Sequence, residues 1–483
     1  EGSVAPNTDI GLIGLAVMGK NLVLNMVDHG FSVSVYNRSP AKTEEFLKDH
    51  GESGALQGFT TIQEFVQSLK RPRKIMIMIK AGAPVDEMIA SLLPFLEEGD
   101  ILIDGGNSYY LDSEQRYVDL KKEGILFVGM GVSGGEEGAR KGPSIMPGGN
   151  IDAWPAIAPI FQSIAAQVDG RPCCSWIGTG GAGHFVKAVH NGIEYGDIQL
   201  ICETYEILKT RLNLSLEQIG NIFFEWNQTD LNSYLIGAAA AVLIAKDENG
   251  NAIASTILDV AGQKGTGRWV AEDAIKAGVP MSLIIESVLA RYLSTWKEVR
   301  TKAAQEFPGI PLLCQPPQEA SAFIEDVREA LYAAKIISYA QGFMLLKQVS
   351  QDKGWDLNLG ELALIWRGGC IIQSAFLDKI HQGFENSPEA HSLILQDYFK
   401  KVLFDSETGF RRAVLHAIGS GVAIPCLSSA LSFYDGYRTV DSSLFLVQGL
   451  RDYFGAHGYE RRDCPRGEFY HTDWLETKKT FRV

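Results

Sequence analysis

A chain of 483 residues, 46% hydrophobic and 21% charged, is too long for one ordinary core, so two or three folded domains are expected and no disordered class fits. Its formal net charge of −14 excludes the basic footprint of a nucleic-acid partner and requires any anionic ligand to be held by local cations. The seven cysteines include no CxxC pair and there is no HExxH, so no metal-ligand spacing is found, and reduced thiols in the cytoplasm are expected.

The chain opens with residues 1–9, which contain no apolar secretory core. No membrane span is expected, because the longest Ala-rich apolar stretch, 235–245, is far short of roughly 20 residues. Short β-rich runs at 10–13, 33–36, 74–79, 101–104 and 125–128 alternate with helical patterns such as 21–28 and 85–96. Buried strands separated by helices imply a Rossmann-type, doubly wound, mostly parallel α/β sheet. Runs near 144–146 and 175–177 are expected to extend it.

The first strand runs into Gly14-Leu15-Ala16-Val17-Met18-Gly19 and then a helix. This is a GxGxxG-type dinucleotide turn with Ala in the second glycine position, in the strand–turn–helix context that gives the motif its meaning. The second strand is followed by Asn37-Arg38-Ser39, where an NAD site places an acid for the ribose 2′-hydroxyl. An arginine with two small polar side chains suits a 2′-phosphate, so NADP is the expected cofactor.

The turn Asp104-Gly105-Gly106-Asn107 follows a strand end, where open α/β sheets bind ligands. GMGVSGGEEG over 129–138 follows another, and Ser133 with the amides of Gly134 and Gly135 could cradle a carboxylate. After Gly181 long helical patterns replace the β-rich runs, so a large all-α domain is expected over 181–457 behind a cofactor domain over 1–180. In the segment 181–205, Lys187, His190, Asn191, Glu194 and Tyr195 share one helix face among apolar neighbours. Such a stripe is costly to bury unless a ligand satisfies it.

The loop Gly262-Gln263-Lys264-Gly265-Thr266-Gly267 reads as an anion loop with Lys264 and Thr266 as donors. The Pro-rich stretch 307–317 reads as a loop between helices. A faint repeat pairs Tyr195-Gly196-Asp197 with Tyr339-Ala340-Gln341 at an offset of about 144 residues. From about 458 onward the periodicity is weak and an extended tail is expected.

The strings IGLAVMG, NRS, IDGGNS, GVSGGEEGA, GHFVKAVHNGIEYGD, AGQKGTG, ALSFYDGYR and RDYFGAH together resemble the 6-phosphogluconate dehydrogenases, decarboxylating enzymes of the pentose phosphate pathway. The resemblance implies a homodimer whose tail, 458–483, reaches the partner subunit. It implies that Lys187 takes the proton of the sugar 3-hydroxyl and then polarises the 3-keto group, and that Glu194 protonates C1 of the enediol. By the same matches Tyr195, Lys264, Thr266 and Arg291 hold the 6-phosphate with Arg451 of a partner. Asn107, His190, Asn191 and a partner's His457 bind sugar hydroxyls or the carboxylate. Ile79, Lys80, Ala81 and Asn107 line the cofactor site, and no metal is required.

One feature departs from the family: its Gly/Ser-rich end that touches the cofactor is replaced by DWLETKKTFRV over 473–483. Two alternatives stand beside the resemblance, a β-hydroxyacid dehydrogenase for an unphosphorylated acid and a catalytically inactive NADP-binding scaffold.

Overall fold

The computed structural model describes residues 5–483. It divides into two compact units, Glu1–Ala430 and Leu431–Val483.

The first unit begins with a seven-stranded sheet: β1 (Ile10–Ile13), β2 (Val33–Tyr36), β3 (Leu56–Phe59), β4 (Lys74–Ile77), β5 (Ile101–Asp104), β6 (Leu126–Ser133) and β7 (Ser144–Gly149), in the order β3-β2-β1-β4-β5-β6-β7. All neighbours are parallel except β6 and β7. Side chains alternate between two cores, one on each face. Ile10, Leu12, Ile101 and Ile103 pack with Leu22, Met26 and Phe161 on one face. Ile13, Ile75, Ile77 and Leu102 pack with Phe65, Ile89 and Leu120 on the other.

The doubly wound sheet is the one the sequence implies, with three departures. β3 is an additional edge strand. β6 runs to Ser133, through the glycine-rich GMGVS, and pairs with β7 from Val128 to Ser133. Residues 175–177 form no strand; that segment meets the sheet through an isolated bridge between Ile145 and Cys174.

Helix Ala182–Leu212 follows, and helix Ala320–Lys353 packs along it. Both are buried around much of their circumference, so tertiary packing rather than amphipathicity defines them. The two segments of the faint repeat lie in these two helices and meet there. The Lys335 amine is 3.7 Å from Asp197 Oδ2, and the Tyr339 hydroxyl donates to the same oxygen at 3.2 Å.

The glycines of β6 explain how helix Ala182–Leu212 reaches the sheet. A Cβ on Gly131 would lie 2.5 Å from Lys187 Cβ, and one on Gly183 would lie 2.4 Å from the Gly129 carbonyl oxygen. Only bare backbone lets strand and helix approach this closely. Residues 307–319 connect helix Lys297–Glu306 to Ala320–Lys353 without regular structure, as their prolines imply. No helix among the described residues is long and apolar enough to cross a membrane.

In the second unit the stretch read as an extended tail folds into three short antiparallel strands, Tyr459–Glu460, Phe469–Thr472 and Thr480–Arg482. The buried carboxylate of Asp452, on helix Phe445–Gly455, organises them. It accepts from the amides of Gly458 (3.0 Å) and Thr472 (3.1 Å), from His471 Nδ1 (2.8 Å) and from Trp474 Nε1 (2.8 Å). Burial opposes its charge, but these four donors prevail and hold its pKa at about 2.

Candidate active site

The dinucleotide turn lies between β1 and helix Val17–Asp28. Gly14 has φ +103°, and a Cβ there would sit 2.1 Å from the Met78 carbonyl oxygen, so no other residue fits. A Cβ on Gly19 would sit 1.9 Å from the Gly14 carbonyl oxygen, which is why the helix can start against the strand. Leu15 turns its side chain into the core, and its amide donates to Asn37 Oδ1 at 2.9 Å. Asn37 thus ties the turn to the end of β2. Ala16 and Val17 are exposed and Met18 is half-buried at the start of the helix. Ala16, its N-cap, offers no side-chain acceptor, so the first-turn amides are available to an anion.

A cavity of about 510 Å³ opens beside this turn, lined by Gly14, Tyr36, Asn37, Arg38, Ile79 and Lys80. Arg38 and Ser39 are exposed there, and Ala81 is half-buried in the loop after β4. Ile13, Ile62, Pro84, Glu87, Met88 and Ser91 also line it, and Ile62, Pro84, Glu87, Met88 and Ser91 were not foreseen. Pro84 and Met88 lie on the helix following β4, so the rule that ligands bind outside strand carboxyl ends pointed there. Ile62 carries no such signal. The glycine turn, the available amides and a cationic side chain where an acid would select NAD all fit a dinucleotide with a 2′-phosphate.

On helix Ala182–Leu212 the expected stripe forms. Asn191 Oδ1 accepts from Lys187 Nζ at 2.8 Å and from His190 Nδ1 at 2.9 Å. That bond places the His190 proton on Nδ1, leaving Nε2 to face Ser133 Oγ at 3.5 Å. His190 is fully buried, edge to face with Trp366 at a centroid distance of 5.8 Å. Burial, reinforced by the Lys187 charge, drives its pKa down to about 3, so the imidazole is neutral.

Burial also lowers the Lys187 pKa, against the attraction of Glu194. Burial raises that of Glu194, against the pull of Lys187 and Arg291. The protein therefore moves a lysine toward the free amine and a glutamate toward the neutral acid, the states a base and an acid need.

A second group lies further along the same helix. The Arg291 guanidinium carbon is 3.7 Å from the centroid of the Tyr195 ring, and its Nη1 donates to the Gly262 carbonyl at 3.1 Å. A Cβ on Gly267 would lie 2.5 Å from that ring, so the loop 262–267 closes on Tyr195. Asn107 Nδ2 donates to Thr266 Oγ1 at 3.3 Å, which joins the turn after β5 to the same loop. Lys264 is exposed on the loop.

Ser133 ends β6, buried; Gly134 follows at φ +112° and Gly135 starts helix Gly135–Lys141. Arg451 and His457 belong to the second unit and are both exposed there. Arg451 Nη1 donates to Gln448 Oε1 at 3.0 Å, and His457 stands edge-on to Phe454. Trp366, against His190, and Cys370, close enough to Lys187 to influence its charge, were not foreseen either. They come from residues 366–370, which follow helix Leu359–Ile365 and carry no motif. Among the described residues, one group of possible metal ligands, Glu361, His381 and Glu385, has its donor atoms within 4.8 Å of one another. None of the three belongs to the stripe around Lys187.

Comparison with known proteins accounts for both halves. Residues 9–178 match the NAD binding domain of 6-phosphogluconate dehydrogenase, and residues 183–474 match the C-terminal domain of the same enzyme. The decarboxylating 6-phosphogluconate dehydrogenase of Chlamydia muridarum is 87% identical over 475 residues, covering 98% of this chain and 99% of that one. That of Rattus norvegicus is 53% identical over 467 residues, covering 96% of each. A Plasmodium falciparum 6-phosphogluconate dehydrogenase, solved in its apo form and with its cofactor NADP+ and its substrate 6-phosphogluconate, superposes with a TM-score of 0.93. It is 44% identical and covers 96% of this chain and 100% of its own. With both domains matched in order and nearly every residue covered, the chain belongs to the decarboxylating 6-phosphogluconate dehydrogenase family.

Proposed function

We propose that the chain converts 6-phosphogluconate to ribulose 5-phosphate and CO2, with NADP as oxidant, and that Lys187 and Glu194 divide the proton transfers. The observation that carries this reading is the stripe itself: an amine of lowered pKa, bonded to Asn191, and a carboxyl of raised pKa on one half-buried helix face. NADP, when bound, supplies the hydride acceptor for C3 of the sugar acid. Its holders are the Gly14–Gly19 turn, Asn37, Arg38 and Ser39, and the wall formed by Ile79, Lys80, Ala81 and Asn107.

The Lys187 amine takes the 3-hydroxyl proton as the C3 hydrogen leaves with its electron pair. Charged again, Lys187 polarises the new 3-keto oxygen, and the bond to the C1 carboxyl breaks as CO2 departs. Glu194 then donates its proton to the carbon left by the carboxyl. His190, neutral and oriented by Asn191, binds without competing for the proton. Ser133, Gly134 and Gly135 cradle the carboxylate. Tyr195, Lys264, Thr266 and Arg291 hold the phosphate, so local cations overcome the global field.

The chain works as a homodimer in which residues 1–180 hold NADP, 181–457 hold the sugar acid, and 458–483 reach the partner, which supplies Arg451 and His457. The compartment is the cytoplasm, consistent with seven free cysteines. The test is absorbance at the NADPH band with 6-phosphogluconate, run with NADP and NAD in parallel and with gluconate as control. Rapid turnover only with the phosphorylated acid and NADP is expected. Equal rates with gluconate would reject the substrate, and equal rates with NAD would reject the role given to Arg38.

A further inference from the structure

On the function proposed above, two loops stand where the cofactor and the sugar acid meet, the one after β4 (79–82) and the turn after β5 (105–107). One side chain, named in no role so far, grips both. Arg116 lies on helix Tyr110–Lys122 and is only 5% exposed. Its Nη2 donates to the Gly82 carbonyl at 3.2 Å, next to Ala81. Its Nη1 reaches Asp104 Oδ2 and Ser108 Oγ, each at 3.4 Å. The Asp104 carboxylate in turn accepts from Ser108 Oγ at 2.5 Å and from the Gly106 amide at 3.0 Å, which sets the turn that presents Asn107. Asp86 holds the guanidinium from outside, through Nε at 2.8 Å and Nη2 at 3.3 Å.

We propose that Arg116 is a positioning residue for NADP: its guanidinium locks the loop after β4 to the turn after β5, and so fixes the cofactor wall relative to Asn107. The chemistry of the fork is what the task requires. A planar guanidinium addresses a carbonyl, a hydroxyl and two carboxylates in fixed directions; a lysine of the same charge reaches one or two of them. The backbone adds two links, the Gly105 amide donating to the Ile77 carbonyl at 3.0 Å and Gly106, whose Cβ would come within 3.0 Å of the Ile79 carbonyl oxygen. Neither reaches residues 80–82, which Arg116 holds through Gly82. Of the residues read as holding the sugar acid, only Asn107 and, through its bond to Thr266 Oγ1 at 3.3 Å, the loop 262–267 are linked to this grip, whereas the loop after β4 is held directly, so the larger effect falls on the cofactor. This inference rests on the reading of these loops as the NADP wall.

The test is calorimetric titration of the full-length Arg116→Lys protein with NADP and, separately, with 6-phosphogluconate, beside its melting temperature and kcat. NADP affinity should fall about tenfold, some 1.4 kcal/mol, with kcat also reduced. Affinity for 6-phosphogluconate should stay within about twofold and Tm within about 4 °C. Unchanged NADP affinity would overturn the proposal. So would equal weakening of both ligands, which is the mark of general loosening. Ser108→Ala removes the hydroxyl bridging Arg116 and Asp104 but leaves the charge in place. If the lysine variant does not fold, a selective loss of NADP affinity in Ser108→Ala supports the proposal, and none overturns it. A wild-type chain that fails to bind NADP would instead sink the functional reading itself.

Discussion

At the scale of single residues, the division between Lys187 and Glu194 has a pH signature. On the proposed roles, the reaction needs the amine free and the carboxyl protonated. Activity therefore rises as Lys187 loses its proton, at a pH below the ordinary lysine range. It falls as Glu194 ionises, at a pH above the ordinary carboxyl range. Glu194→Gln should keep the acid limb of the kcat/KM profile and flatten the alkaline limb; an unchanged alkaline limb would assign it to another group. Arg38 carries a separable prediction. Arg38→Ala loses a charge-assisted contact and should raise KM for NADP about tenfold to a hundredfold while leaving KM for NAD nearly unchanged. Parallel changes for both nucleotides would remove the 2′-phosphate role. The spacing of Lys187, His190, Asn191, Glu194 and Tyr195 could be read from the sequence because one helix carries all five and its period is fixed. Trp366 against His190 could not, because it arrives from a distant segment by tertiary packing.

Individual elements were legible where burial was simple. β1 and β2 are short apolar runs and stand where those runs lie. β3 was not legible, since LQGF buries a single residue and contains a glycine. β6 was truncated for a related reason: its glycines look like a loop, yet they serve the approach of helix Ala182–Leu212. Gly131→Ala should therefore push Lys187 aside and lower kcat about tenfold or more, with a smaller effect on stability; wild-type kcat in a folded variant would contradict that packing.

The same helix carries Glu203, whose carboxylate accepts from the amides of Cys426 (3.0 Å) and Leu427 (2.8 Å) at the start of helix Pro425–Tyr437. Burial raises its pKa to about 7 despite those bonds. A folded pKa above the unfolded value gives stability that is complete at low pH and is lost as pH rises through 7. From pH 5 to 8 the wild-type chain should lose about 2–3 kcal/mol more than Glu203→Gln in urea unfolding. Parallel curves would mean that Glu203 titrates normally.

For the whole molecule, the mostly parallel sheet followed by a large helical region follows from the order of the sequence patterns. The small C-terminal sheet did not, because it is built around Asp452 rather than around an apolar repeat. The proposed dimer makes a quantitative prediction. If Arg451 serves the partner's site, Lys187→Ala and Arg451→Ala subunits, each inactive alone, should regain activity when refolded together. Half of the dimers would be mixed, and each would hold one intact site, giving about a quarter of wild-type activity. No recovery would place Arg451 outside a shared site.

The most direct measurement is first-turnover stopped-flow absorbance of NADPH with saturating 6-phosphogluconate and NADP, for Glu194→Gln and Lys187→Ala side by side. Proton abstraction by Lys187 followed by proton return from Glu194 predicts an NADPH burst near one equivalent for Glu194→Gln with slow later turnovers, and no burst for Lys187→Ala. A burst from Lys187→Ala, or its loss in Glu194→Gln, would contradict that order of events.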